Sequence, residues 1–106
     1  EAHEYSTPIS AKTAKTMVRM MIDAVSSGVS SNAQIPGIAV AGKTGTAENG
    51  EGEPYTLWFT GFAPADNPQV VVAVVIEDGG GLGQSGRGNS VAAPIARKVM
   101  EAVLAQ

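Results

Sequence analysis

Six residues, Gly42-Lys43-Thr44-Gly45-Thr46-Ala47, hold the clearest chemical equipment of the chain. A lysine supplies positive charge, two threonines supply hydroxyls, and a glycine leaves a gap with no side chain. The alternating run Ile38-Ala39-Val40-Ala41 leads straight into them, so the segment reads as one strand. A cation, hydroxyl donors and bare backbone along an exposed strand suit an anionic acyl substrate, which can pair with the strand while its charge is met. A second reading competes. Gly37 to Thr44 fits the phosphate-loop pattern, and Val74-Val75-Ile76-Glu77-Asp78 fits an acidic metal-binding strand end. A phosphate loop, however, needs flexible residues whose N–H groups curl round the phosphates, then a helix opening at the lysine. Here the intervening residues are Ile, Ala, Val and Ala, which favour extension, and Gly45 to Gly50 is a poor helix start. The balance favours acyl chemistry.

Other matches carry less. Gly81-Leu82-Gly83-Gln84-Ser85-Gly86 has the spacing of a dinucleotide fingerprint. That site needs a helix opening within the motif and a second parallel strand bearing an acid. Neither is in the pattern, so the stretch reads as a flexible loop beside a site, with Arg87 as a solvated arginine. Ser30-Ser31-Asn32 has a Ser-x-Asn form but reads as ordinary loop composition.

Composition narrows the remaining classes. At 106 residues the chain is one domain or a piece of one, and an apolar fraction of 43% is enough for a packed interior. The net charge is −3 and the basic residues are scattered, which argues against nucleic acid as a partner. Cysteine is absent, removing disulfides, thiolate catalysis and cysteine metal sites together. The single histidine, His3, lies in a polar terminal segment, so no metal or other cofactor is expected. No apolar run approaches the ~20 residues that span a bilayer, so this segment is expected to make no membrane contact. The chain begins at Glu1 with no signal-peptide pattern and reads as an excised or processed fragment.

The elements that position the Lys43 segment follow from periodicity. From a Ser10 N-cap, Ala14, Met17, Val18, Met21 and Val25 recur at helical spacing up to Gly28, predicting a helix over about 11–27 with its methionines filling gaps in the core. A Ser/Gly/Asn/Pro loop follows. Strands are predicted over about 38–47, 55–63 and 69–77, joined by short turn-rich connections that favour antiparallel hairpins. The continuous valine run of the third predicts burial on both faces. After the glycine-rich Gly79–Gly88 loop, a helix over about 91–105 is predicted, with Ile95, Ala96, Val99, Val103 and Leu104 on its apolar side and Pro94 in its first turn. The fold class is α+β, an antiparallel three-strand meander with both helices packed on one face.

Lys43-Thr44-Gly45-Thr46-Ala47 followed by Trp58-Phe59-Thr60-Gly61-Phe62-Ala63-Pro64, a valine-rich strand, a glycine loop and Ala92-Ala93-Pro94 closely resembles the C-terminal part of penicillin-binding protein transpeptidases. The likeness is to the class B, high-molecular-mass kind, with details of an actinobacterial member, and covers nearly the whole chain. It implies that residues 1–106 are a C-terminal fragment of a single domain of the β-lactamase/transpeptidase-like fold. It implies that the acyl donor adds to the Lys43 strand, with peptidoglycan stem peptides and β-lactams as partners. Lys43 would then supply charge, Thr44 and Thr46 would bind the terminal carboxylate, Gly45 would let the substrate backbone approach, and the Thr46 backbone N–H would be one of two oxyanion-hole donors. The family's nucleophile lies in a Ser-x-x-Lys motif, and none occurs in residues 1–106. The resemblance thus implies a serine D,D-transpeptidase, acting outside the cytoplasm and membrane-anchored elsewhere, of which this chain is an inactive piece. A D-alanyl carboxypeptidase, a serine β-lactamase and a non-catalytic module are the alternatives. A fragment of this kind would also expose sheet edges through which it could self-associate.

Overall fold

The computed structural model describes residues 2–106. A helix, Ala11–Ser26 (α1), is followed by three strands, Ala41–Ala47 (β1), Thr56–Ala63 (β2) and Val70–Ile76 (β3), and by a second helix, Ala93–Leu104 (α2). The strands form an antiparallel meander in the order β1-β2-β3, as the short connections predict. The Ser10 hydroxyl accepts from the Thr13 backbone N–H at 3.1 Å, satisfying a donor that the first turn would otherwise leave unpaired.

The middle strand holds the structure together. Leu57, Phe59 and Ala63 are fully buried on one face, while Trp58 and Thr60, pointing the other way, are exposed. Phe59 stands opposite Thr44 on one side and Val74 on the other. A Cβ on Gly42 or on Gly61 would come within 2.5 and 2.8 Å of the Phe59 ring, so both glycines leave space that the ring fills. Both helices meet this face: Val25 from α1 and Ala93, Ala96 and Met100 from α2 join Phe59, Ala63 and Val72 in one core cluster. Burying a side chain the size of Phe59 or Met100 stabilises by about 1.5–3 kcal/mol.

The structure corrects four expectations. β1 starts at Ala41, not Ile38. Pro36 and Gly37, with Gly37 at φ 77°, turn the chain so that the Ile38 N–H donates to the Ile35 carbonyl at 3.1 Å, and Ala39 gives its carbonyl to Ala65. The residues before Ala41 therefore spend these hydrogen bonds on a turn and on the segment at Ala65. β3 is not buried on both faces. It is an edge strand, with Val72 buried but Val71 76% exposed and Val75 48% exposed.

On α1 the methionine stripe is not core. Val25 alone is buried, and Met17 is half-exposed. On α2 the buried stripe is Ala93, Ala96 and Met100, while Ile95, Val99 and Val103 remain partly exposed. Small alanines allow the helix backbone to lie close to the sheet, and this selects the stripe that turns inward. The helical path itself begins earlier than α2, in a π-helical turn over Gly88–Ala92. Pro94 falls in the first turn of α2, where its missing N–H costs nothing.

Candidate active site

β1 pairs with β2 on one side and has no partner strand on the other among the described residues. Its register sets which way each candidate residue points. Gly45 faces Trp58 and Lys43 faces Thr60 across the pair, on the exposed side of the sheet, whereas Thr44 faces Phe59 and Thr46 faces Leu57 on the core side. The Lys43 side chain is exposed, and its ammonium donates to the Thr44 carbonyl at 2.6 Å. A Cβ on Gly45 would meet the Trp58 Cβ at 3.3 Å, so the gap left by this glycine lies beside the indole.

The two threonines open onto a cleft of about 420 Å³. Its walls are Thr44 and Thr46 from β1, Arg87–Ser90 from the π-helical turn, and Val29 from the loop after α1. Gly88 forms the tight corner. Its N–H makes a long hydrogen bond of 3.4 Å to the Thr46 Oγ1. A Cβ there would come within 2.6 Å of the Trp58 carbonyl, 2.9 Å of the Gly45 carbonyl and 3.0 Å of the Thr44 Cβ. Only a glycine lets this turn approach the sheet so closely.

The sequence reading missed this second wall. The Gly79–Gly88 loop is held in place. Tyr55 N–H donates to the Gly83 carbonyl at 3.1 Å, Gly79 N–H donates to the Tyr55 carbonyl at 2.6 Å, and Gln84 Nε2 donates to the Glu53 carbonyl at 2.9 Å. Arg87 is exposed, yet it is tied to its own loop. Its Nη1 donates to the Gln84 and Gly86 carbonyls at 2.9 and 2.8 Å, and the guanidinium lies 5.7 Å from the Tyr55 ring centroid.

Ser31 and Asn32 are also more than loop filler. They hydrogen-bond to Asn89, 58 and 57 residues further along the chain respectively. No local pattern signals a pairing over that distance.

The phosphate-loop geometry is not present. Lys43 and Thr44 lie inside β1, and the next helical segment among the described residues is the turn at Glu77–Gly81. The parallel strand that a dinucleotide fingerprint needs is likewise not found among the described residues, where every strand pair is antiparallel. Among the described residues no group of three or more metal-ligating side chains is placed to hold an ion, and no helix is long and apolar enough to cross a membrane.

Two threonines face a glycine-cornered turn, and a lysine next to the first stands on the other side of the strand. The family model of the penicillin-binding protein transpeptidase domain matches residues 1–101. The chain belongs to this transpeptidase family. It is 48% identical over 73 residues to the peptidoglycan D,D-transpeptidase PbpA of Mycobacterium tuberculosis, covering 66% of this chain and 15% of that protein. It is 39% identical over 99 residues to PbpA of Mycolicibacterium smegmatis, covering 91% of this chain and 20% of the relative.

Among solved structures, the ceftriaxone acyl-enzyme complex of M. tuberculosis penicillin-binding protein A superposes with a TM-score of 0.86 at 37% identity, covering 96% of this chain and 23% of that one. The D,D-transpeptidase domain of a peptidoglycan glycosyltransferase from Eggerthella lenta gives 0.77 at 40% identity, covering 92% and 21%. The family member described here is thus PbpA-like, of the actinobacterial kind, and its fold is that of the transpeptidase domains. It spans a quarter or less of the length of these relatives.

Proposed function

We propose that this chain is the C-terminal fragment of a single transpeptidase domain in a serine D,D-transpeptidase that cross-links peptidoglycan through an acyl-enzyme. The observation that carries the reading is the free edge of β1, where Thr44 and Thr46 border a cleft closed on its far side by Arg87–Ser90, with Lys43 and Gly45 alternating with them on the exposed side of the strand. An extended acyl donor adds to this edge as a further strand. Lys43 supplies positive charge to the reacting groups and to the substrate carboxylate, and the Thr44 and Thr46 hydroxyls bind that carboxylate. The Thr46 N–H is one of two oxyanion-hole donors, a role worth about 3–4 kcal/mol of barrier. The partners are peptidoglycan stem peptides and, by analogy with the relative trapped as a ceftriaxone acyl-enzyme, β-lactams. The parent acts on the outer face of the cytoplasmic membrane.

The attacking serine is not in these 106 residues, since no Ser-x-x-Lys occurs among them. The chain alone is therefore inactive. Intact-mass spectrometry after incubation with benzylpenicillin tests both halves of the reading. The parent is expected to gain one penicilloyl mass and the 106-residue chain none. An adduct on the isolated chain, or none on the parent, overturns it. A D-alanyl carboxypeptidase or β-lactamase differs in sending the acyl group to water, so supplying D-amino-acid acceptors to the parent and following the aminolysed product separates these from a transpeptidase.

A further inference from the structure

We propose that Asn89 is a positioning residue for carboxylate recognition, acting through a reciprocal amide clamp with Asn32 that fixes the turn opposite Thr44 and Thr46. This inference rests on the function proposed above. Three hydrogen bonds make the clamp. The Asn32 backbone N–H donates to the Asn89 Oδ1 at 2.9 Å, the Asn32 Nδ2 donates to the Asn89 carbonyl at 2.9 Å, and the Asn89 Nδ2 donates to the Ser31 Oγ at 3.2 Å. A backbone N–H can only donate, so it fixes the Asn89 amide with its oxygen toward Asn32 and its nitrogen toward Ser31. The side chain and the main chain of Asn89 are thereby both held by one short segment of the loop after α1.

Asn89 is the residue next to Gly88, and Gly88 is where the turn touches β1. The Gly88 N–H points at the Thr46 Oγ1, and the glycine is wedged against the Gly45 carbonyl and the Thr44 Cβ. A threonine hydroxyl carries one proton and can accept as well as donate. With its acceptor side turned to Gly88, the Thr46 hydroxyl has its proton free for an anion in the cleft. If the turn drifts away, the hydroxyl loses that bias and the cleft opens beyond its set width. Asn32 is not among the residues lining the cleft. Its influence on a ligand must pass through Asn89.

The test uses the full-length parent and two probes that differ only in the anion, benzylpenicillin and its methyl ester. Acylation rates are measured for wild type, Asn89→Ala, Asn32→Ala and the double variant. The preference of the wild type for the free acid is expected to fall about tenfold in Asn89→Ala, as for loss of a hydrogen bond to a charged group. Asn32→Ala, which removes a single bond of the clamp, should shift the preference in the same direction by less. The double variant should be no worse than Asn89→Ala, the mark of residues acting as a unit.

Equal losses toward acid and ester would show a structural role only and overturn the proposal. So would an unchanged preference, or an effect of Asn89→Ala that Asn32→Ala does not share, which would mean that Asn89 touches the ligand itself. A wild-type parent that forms no penicilloyl adduct fails at an earlier step and removes the proposed function along with the clamp's role.

Discussion

The sheet has two edges, and they are built for different fates. β1 offers Lys43, Thr44, Gly45 and Thr46, small or polar residues with few apolar atoms to hide. β3 offers Val71 and Val75, large β-branched side chains standing in solvent, with Val75 opposite the half-exposed Trp58. Both edges lack a partner strand among the described residues. An edge that is polar tolerates being open and can accept a strand and release it. An apolar edge gains from permanent cover and is a liability without it. Exposure alone therefore does not mark a site. What we propose marks it is exposure combined with residues that lose little by staying wet, and by that criterion β1 is the edge proposed to work.

The largest effect should come from the support that both edges share. Phe59→Ala removes the ring lying between Gly42 and Gly61 and opposite Thr44 and Val74, and should destabilise by about 3–5 kcal/mol in chemical denaturation. A cost under 1 kcal/mol would mean that the edges are held independently. Next is Lys43→Ala in the parent, where benzylpenicillin acylation should fall by about 100-fold or more. Because Lys43 is exposed, stability should stay within about 0.5 kcal/mol. A parallel loss of stability would make the lysine structural and erase the distinction between the edges.

Gly88→Ala should cost about 1–3 kcal/mol, since the new methyl group meets three neighbours and two of them are backbone carbonyls. Differential scanning fluorimetry of the parent checks this, and an unchanged melting temperature would show that the turn is free to retreat. The smallest change in monomer stability is expected for Val71→Lys, within about 0.5 kcal/mol. Its effect should instead appear in sedimentation of the isolated chain. Wild type is expected to self-associate as concentration rises and the lysine variant to remain monomeric. A monomeric wild type at every concentration would sink the idea that β3 is the sticky edge.

Much of this was legible from local pattern. The order helix, meander, helix follows from periodicity and short turns, and the Ser10 cap and the placement of Pro94 follow from backbone chemistry. What failed depended on the surroundings. A run such as Val70–Val75 shows that a strand is apolar, not how many layers cover it. Helical spacing on α2 allows two stripes, and the choice between Ala93/Ala96/Met100 and Ile95/Val99/Val103 is made by how near the sheet comes. On α1, Met17 is apolar yet only half covered. At the candidate site, the Lys43–Thr46 wall could be read because its residues are contiguous. The Arg87–Ser90 wall could not, because its placement depends on Gly88 meeting β1 and on amide contacts spanning 57 and 58 residues.

The ring of Phe59 has a further consequence. Slotted into the space left by Gly42 and Gly61, it removes much of the freedom of the strand that carries Lys43 before any ligand arrives. A peptide that adds to β1 meets a template already ordered, so the entropy lost on association falls mainly on the peptide. Loosening the ring with a smaller apolar side chain should then weaken acyl-donor binding from a distance, and the penalty should appear as a more unfavourable binding entropy.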